Sequence, residues 1–223
     1  MKQSMKITND GFAVLENDTH LSRWVEEQRR LDVQFDTRIL SLMEPGNSVV
    51  DVGAALGDHT IAYANRVGAT GKVYAFEPNP SQLKCLRYNM RGLPNVEVVG
   101  FALGSAPGQA EMVLSPNVSA SHLDHGSGTV EVITLDSFLC GLPVHFIKVD
   151  VEGDELAVLA GSRETIVRHR PKLIIEINAG HLIRVGSSEN DIFDFLDGLG
   201  YEHSVFAGEC SGPLYDLMAQ PRP

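Results

Sequence analysis

The chain is poor in cysteine, tryptophan and positive charge, and two of these shortages remove classes of protein. Three cysteines, Cys85, Cys140 and Cys210, stand far apart with no CxxC spacing. An odd count at long spacings supports neither a disulfide framework nor a zinc knuckle, and fits reduced thiols in a cytoplasmic protein. Lysine and arginine number 18 against 29 acids, a net charge of −11 with no basic cluster to offset it. Coating nucleic acid or an anionic membrane needs a basic face, so neither partner is expected. No apolar run is long enough to span a bilayer, and no signal-peptide pattern precedes the first elements. No repeat or low-complexity linker divides the sequence. What remains is a globular composition, 43% hydrophobic over 223 residues, which suits one domain with a small appendage.

Residues 1–45 read as an extension. A hairpin through Phe12, Val14 and Leu15 is followed by a helical pattern at Leu21, Trp24, Val25 and Leu31. A second helix over about 37–43 ends at Glu44-Pro45-Gly46. From residue 46 strands and helices alternate. Strands are predicted at 49–52, 73–77, 96–101, 146–151 and 173–177, with helices at 60–67, 80–91, 154–167 and 191–199. Two closing strands, 201–206 and 214–219, are joined without a helix and are expected to be antiparallel. Between the third and fourth strands lies a Ser/Gly/Pro-rich stretch with short β-like pieces at 110–114 and 130–134. The pattern predicts an α/β, Rossmann-like fold: a seven-stranded, mostly parallel sheet with an antiparallel C-terminal strand and helices on both faces.

The most informative stretch is VVDVGAALGDHT (49–60), a buried strand running into a glycine-spaced turn and a helix. A second strand, KVYAFEP, ends in Glu77. Ligands in open α/β sheets sit at the carboxyl ends of strands, so Asp51 and Glu77 face one crevice. Gly53 and Gly57 allow a tight turn and close backbone approach, with Ala54 between them, and Asp58 and Thr60 open the helix. Glu77 is placed to accept two hydrogen bonds from a ribose diol. Asp51 lies where a dinucleotide would place its pyrophosphate; a carboxylate there repels phosphate and attracts an ammonium group. The third glycine of the dinucleotide fingerprint and the G-K-[ST] ending of a phosphate loop are both missing. S-adenosyl-L-methionine, cationic at one end with a ribose in the middle, meets both demands.

At this point the chain resembles the class I S-adenosylmethionine-dependent methyltransferases, and within them the FkbM family. The resemblance is carried by VVDVGAALGDHT, VYAFEPNP, FALGS, VITLDSF, FIKVDVEGDELAVLAGS and LIIEIN, over residues 46–180. It implies that residues 46–223 form the methyltransferase domain and that residues 1–45 include a helical lid carrying His20 and Trp24. Asp51, Gly53 and Gly57 would line the methionine part of the cofactor. Glu77 would hold the ribose with Pro78 and Asn79 beside it, and Ala102 and Leu103 would flank the adenine. The acceptor would be a small-molecule hydroxyl, on a natural product or a sugar. One departure is Ala55, where the family commonly has Asn.

FIKVDVEG alternates so that Lys148 and Asp150 share one face of the strand, and a lysine in a central strand calls for a partner. Asp150 is expected to face the cofactor methyl. Glu152 and Glu176, at the ends of neighbouring strands, are candidates to orient or deprotonate a hydroxyl, as is His181 in a following loop. Glu152 also reads as a cap for the next helix. His122, Asp124 and His125, or Asp150, Glu176 and His181, are weighed as metal sets, but no spacing fixes a geometry and no metal is expected. Competing readings are a binding domain that has lost its chemistry and an NAD-dependent oxidoreductase. Oligomeric state is open, a homodimer being compatible with the sequence.

Overall fold

The computed structural model describes residues 4–16, 18, 21–30, 37–115, 121–208 and 214–223. The extension opens with a hairpin of β1 (Met5–Ile7) and β2 (Ala13–Leu15), then α1 (Leu21–Arg30) and α2 (Thr37–Leu40). The domain follows as β3 (Ser48–Val52), α3 (Asp58–Val67), β4 (Lys72–Phe76), α4 (Pro80–Asn89) and β5 (Val96–Val99). Next come β6 (Ala102–Leu103), β7 (Gly108–Val113), β8 (His122–His125), β9 (Val130–Ile133) and α5 (Leu135–Leu139). The chain continues through β10 (Phe146–Val149), α6 (Glu155–Ala160), α7 (Arg163–His169) and β11 (Lys172–Asn178). It ends with α8 (Ala179–Arg184), α9 (Glu189–Gly198), β12 (Tyr201–Gly208) and β13 (Leu214–Pro221).

Seven strands form the main sheet in the order β12-β13-β11-β10-β3-β4-β5. β3, β4, β5, β10 and β11 are parallel, and β13 runs antiparallel to both β11 and β12. The central strands are apolar on both faces, as strands covered by helices on each side must be. β10 is buried at all four positions, and β3 and β4 are each buried at four of five. One face packs Val50, Val52, Ile147 and Ile175 into the larger core; the other packs Val49, Val73, Phe146 and Ile174 with Tyr63 of α3. Local chemistry sets the helix starts. Asn79 caps α4 by accepting from the Ser81 N–H, with Pro80 at the first helical position. Ser188 and Asp191 form a capping box on α9.

Order along the sheet fixes the crevice. The chain adds β4 and β5 on one side of β3, then crosses to add β10 and β11 on the other, so strand order reverses between β3 and β10. Such a reversal opens a cleft at the carboxyl ends of the two strands.

Several elements differ from the sequence expectation. The third strand stops at Val99; Ala102–Leu103 leaves it to join a separate four-stranded sheet, order β6-β9-β7-β8. That sheet contains the β-like pieces at 110–114 and 130–134 and adds the unforeseen His122–His125, paired with Ala110–Val113. The helix expected over 154–167 is two, broken at Gly161-Ser162, where a Cβ on Gly161 would lie 2.0 Å from the Gly104 carbonyl oxygen. The helix expected over 37–43 ends at Leu40.

The N-terminal hairpin buries Phe12, Ala13, Val14 and Leu15 with Val25, Leu56 and Cys85. Asn89 fastens it: its amide accepts from Ala13 N–H at 2.6 Å and donates to the Ala13 and Leu56 carbonyls at 3.0 and 2.7 Å. The hairpin and Val25 of α1 thus pack on α4 and the β3–α3 loop, while Ile39 and Met43 pack with Val49 and Tyr63. His20 and the Trp24 side chain, which carried the lid expectation, lie outside the described residues, as do Cys210 and Gly212. Among the described residues no helix is long and apolar enough to cross a membrane.

Candidate active site

A cavity of about 710 Å³ opens where the reversal predicts, at the ends of β3, β4, β10 and β11. Its floor is the β3–α3 turn. Gly53 has φ +82, and a Cβ there would stand 1.8 Å from the Asp150 carbonyl oxygen, so only glycine lets the ends of β3 and β10 approach this closely. The Gly53 and Ala54 N–H groups both donate to the Phe76 carbonyl, at 3.0 and 2.9 Å, tying the turn to β4.

Asp51 is fully buried and lines the cavity. Thr60 donates to its Oδ2 at 2.6 Å, while Oδ1 is buried without a hydrogen-bond partner. Burial pushes the Asp51 carboxyl up, opposed by the charge of Lys148, its register partner on β10. A fully buried carboxylate with an open oxygen is costly until a donor arrives. Glu77 is held by two backbone donors, Asn79 N–H on Oε1 at 2.7 Å and Ala55 N–H on Oε2 at 2.9 Å. Burial nevertheless pushes it up to about 7, with Asp150 and Asp51 adding to the rise. Ala55 reaches Glu77 by adopting φ 49, the left-handed region that Asn tolerates far better than Ala.

Farther along the cleft, Lys148 donates to Asp150 Oδ2 at 2.7 Å; the strand expected over 146–151 stops at Val149, and the lysine's partner is the first residue past its end. Burial alone would lower the Lys148 pKa, but Asp150 and Asp51 drive it well above the ordinary lysine value. Burial likewise opposes ionisation of Asp150, yet the Lys148 charge and hydrogen bonds from Lys148 and Glu176 hold it below the usual carboxylate range. Glu176 is pushed up to about 9, by burial first and by Asp150 second. Burial and the Asp150 charge thus both favour its protonated form, which in turn favours the ionised Asp150 beside it.

Asp150, Glu152 and Glu176 bring one oxygen each within 4.8 Å of one another, a spacing a divalent cation also accepts. Lys148 and the Glu176 proton already supply neutralising charge. Of the metal sets weighed from sequence, Asp150 and Glu176 meet, with Glu152 as the third member. His125 pairs instead with Asp154 at 3.0 Å.

A sequence profile of the Methyltransferase FkbM domain matches residues 51–203, more than half of the chain. The chain belongs to the FkbM methyltransferase family.

A curated relative, the hexuronic acid methyltransferase AglP of Haloferax volcanii, is 29% identical over 169 residues, covering 70% of this chain and 68% of that protein. The crystal structure of an FkbM methyltransferase from Methylobacillus flagellatus superposes with a TM-score of 0.57 at 22% identity over 79% of this chain. This chain spans only 44% of that protein. Aeropyrum pernix fibrillarin, solved with natively bound S-adenosyl-L-methionine, superposes with a TM-score of 0.52 at 14% identity over 98% of this chain and 82% of its own. These likenesses show the class I methyltransferase fold.

Within this FkbM domain the cavity is lined by Asp51, Gly53, Ala54, Asp58, Glu77, Pro78, Asn79, Ala102 and Leu103 from the cofactor set. It is also lined by Lys148, Asp150, Glu152, Glu176 and His181 from the catalytic set. Two expected residues stand behind it. Gly57, at φ +91, faces Leu86 and Met90, where a Cβ would come within 2.6 Å of each; its service is packing of α3 on α4. Thr60 holds Asp51 from the rear and does not cap the helix; α3 starts after Gly57 with no side-chain cap. Glu152 is no cap for α6 either, since its carboxylate turns to His181, and His181 belongs to α8 rather than to a loop. Sequence reasoning missed His59, Gln82, Phe101, Met112, Leu123, Asn178 and Leu214 in the lining. Met112 lies in the β-like piece expected at 110–114, while His122 and Leu123 belong to the unforeseen β8, with Ser121 just before it.

Proposed function

We propose that this domain transfers a methyl group from S-adenosyl-L-methionine to a hydroxyl oxygen of a small, sugar-like acceptor. The observation that carries the cofactor is the pair of incompletely satisfied buried carboxylates at the strand reversal. Glu77, oriented by two backbone N–H groups, retains lone pairs for a ribose diol. The unpartnered Asp51 Oδ1 suits the donor protons of an ammonium group. Phe101, Ala102 and Leu103 offer an apolar slot for a purine at the far side of Glu77. When bound, the sulfonium supplies an activated methyl, so the protein's part is alignment, exclusion of water and management of one proton. Asp150, fixed by Lys148, is assigned to the methyl end of the cofactor.

The cavity volume falls in the range of small-molecule sites. A hydroxyl is favoured as acceptor because Asp150, Glu152, Asp154 and Glu176 line the wall beyond Asp51 and offer oxygens that can orient a hydroxyl or take its proton, while no arginine among the described residues lines it to bind a carboxylate.

The test begins with calorimetric titration of S-adenosylhomocysteine into wild type, Asp51→Ala and Glu77→Ala. Binding by wild type that weakens about 100-fold in Glu77→Ala, the loss of charged hydrogen bonds to a diol, supports the reading. No binding by wild type overturns it in favour of a domain without this chemistry. Methyl-tritiated S-adenosylmethionine with neutral glycosides, aminosugars and uronic acids then identifies the acceptor; labelling of uronates as esters alone would overturn the hydroxyl assignment.

A further inference from the structure

The Glu152–His181 contact is built with more care than a chance surface pair. Glu152 Oε2 and His181 Nδ1 stand 2.6 Å apart as an ion-pair contact, and neither atom has a hydrogen-bond partner. Two lone pairs facing each other at that distance repel, so the contact is favourable only with a proton shared by the pair. The backbone holds them in place. Glu152 adopts φ 61, a left-handed conformation rare outside glycine, and Gly153 follows at φ 119. The Arg184 guanidinium of α8 donates to the Glu152 carbonyl. A Cβ on Gly153 would lie 2.7 Å from the His181 carbonyl oxygen, so the turn after β10 and the helix after β11 interlock only through a glycine. Both side chains line the cavity. With Nδ1 engaged by Glu152, Nε2 is the ring nitrogen left for a ligand.

We propose that Glu152 and His181 work as one proton-accepting unit. Glu152 is the positioning residue that holds the ring as the Nδ1–H tautomer, and His181 Nε2 is the catalytic atom that takes the acceptor's hydroxyl proton. The proposal rests on the O-methyl transfer reading of this cavity. An acceptor oxygen lone pair forms the new O–CH₃ bond as the C–S bond breaks and its electron pair stays on sulfur. The hydroxyl proton passes to Nε2, and the resulting imidazolium is neutralised by the Glu152 carboxylate. A carboxylate acceptor would have no proton to give, so such a unit marks the acceptor as a hydroxyl.

The groups facing the pair are Lys148 on β10 and Asp150 just after it, Glu155 on α6, Glu176 on β11, His122 on β8 and Arg184 on α8. Burial, then Arg184 and His122, holds the imidazole below its ordinary value. Burial, then Asp150 and Glu155, raises Glu152 to about 8. Below that pH Glu152 carries its own proton and donates it to Nδ1, leaving hydrogen on Nε2. Above it, the carboxylate accepts from Nδ1–H and Nε2 is open. The pair is thus a tautomer switch, and transfer rises with pH as it turns over.

The experiment is ¹⁵N-histidine NMR on the full chain with S-adenosylhomocysteine present, His181 being assigned by its loss in His181→Gln. The expected result is a change from Nε2–H to Nδ1–H between about pH 6 and about pH 9 in wild type, abolished in Glu152→Gln. A ring that stays Nε2–H throughout, or a switch that persists in Glu152→Gln, overturns the proposal. So does displacement of the His181 signals by magnesium alone, which would give the carboxylates to a cation. The tautomer readout needs no acceptor. With an acceptor from the labelling panel, His181→Gln lowers kcat about 10²–10⁴-fold while S-adenosylhomocysteine affinity holds; an unchanged kcat also refutes the assignment. Failure to bind S-adenosylhomocysteine would count against the cofactor reading, and the tautomer result would still stand or fall separately.

Discussion

Glu77 should make the ligand-free protein less stable as pH rises, and Glu77→Gln should remove that dependence. Moving its carboxyl from 4.5 to about 7 means the folded state binds the proton more tightly than the unfolded chain. The stabilisation from that proton is complete below pH 4.5 and is lost as pH climbs through about 7. The change over the window is about 3 kcal/mol. Glutamine cannot ionise, but its amide offers one acceptor to two backbone donors, so either Ala55 or Asn79 N–H is orphaned at about 1–3 kcal/mol at every pH. Wild type is therefore the more stable protein near pH 5, and its advantage shrinks or reverses near pH 8. Urea denaturation of both proteins across this range measures the difference. Subtracting the two curves cancels Glu152, Glu155 and Glu176, all raised in the same sense and common to both. A difference that stays constant from acid to alkaline pH would refute the reasoning. Bound S-adenosylhomocysteine should flatten it, since ribose hydroxyls favour the ionised carboxylate. Its binding near pH 6 should then release a proton, seen by calorimetry in two buffers of different ionisation enthalpy.

Replacing Ala55 by Gly relieves a left-handed conformation and should raise stability by about 1 kcal/mol, measured as a higher midpoint in denaturant. Gly53→Ala places a methyl group 1.8 Å from the Asp150 carbonyl oxygen. It should cost about 1–3 kcal/mol and abolish S-adenosylhomocysteine binding, because the ends of β3 and β10 must part. Lys148→Met strips the ammonium from Asp150 and from the neighbourhood of Asp51, both cavity-lining acids. A loss of about 3 kcal/mol is expected above pH 5, shrinking as acid protonates the two carboxylates. Equal losses at pH 4 and pH 8 would show that Lys148 acts through packing alone.

The Asp51–Glu77 end of the cavity was legible because its chemistry interrupts a strong pattern. Asp51 and Glu77 close strands that are otherwise apolar, and such an exception carries information wherever burial is expensive. Lys148 stood out for the same reason. The second sheet was legible only in part: two of its strands were readable as the pieces at 110–114 and 130–134, but His122–His125 is partly to fully exposed at every position, so no alternation marks it as a strand. Helix α8 has six residues and one buried position, too few to show a period, and its signal is the Asn178 side chain accepting from the Gly180 and His181 N–H groups. Gly57 has a second demand that the sequence did not show: besides its turn at φ +91, the space a side chain would take is filled by Leu86 and Met90.

The residues that the sequence could not join are those whose meeting depends on strand order. Asp51 stands opposite Lys148 only because β10 enters the sheet beside β3, on the side away from β4. Glu152 meets His181 only because β11 then adds beside β10, bringing the turn after one strand against the helix after the next. Each member can be nominated alone from its place at a strand end. The pairing is a consequence of the reversal, and the reversal also makes the cleft. A chain that kept every one of these residues but inserted β10 at the sheet edge would have the same motifs and neither pair. The Asp51–Lys148 and Glu152–His181 relations are therefore the sharper signature of the site, and substitutions that part them should cost function even where every other cavity-lining side chain is retained.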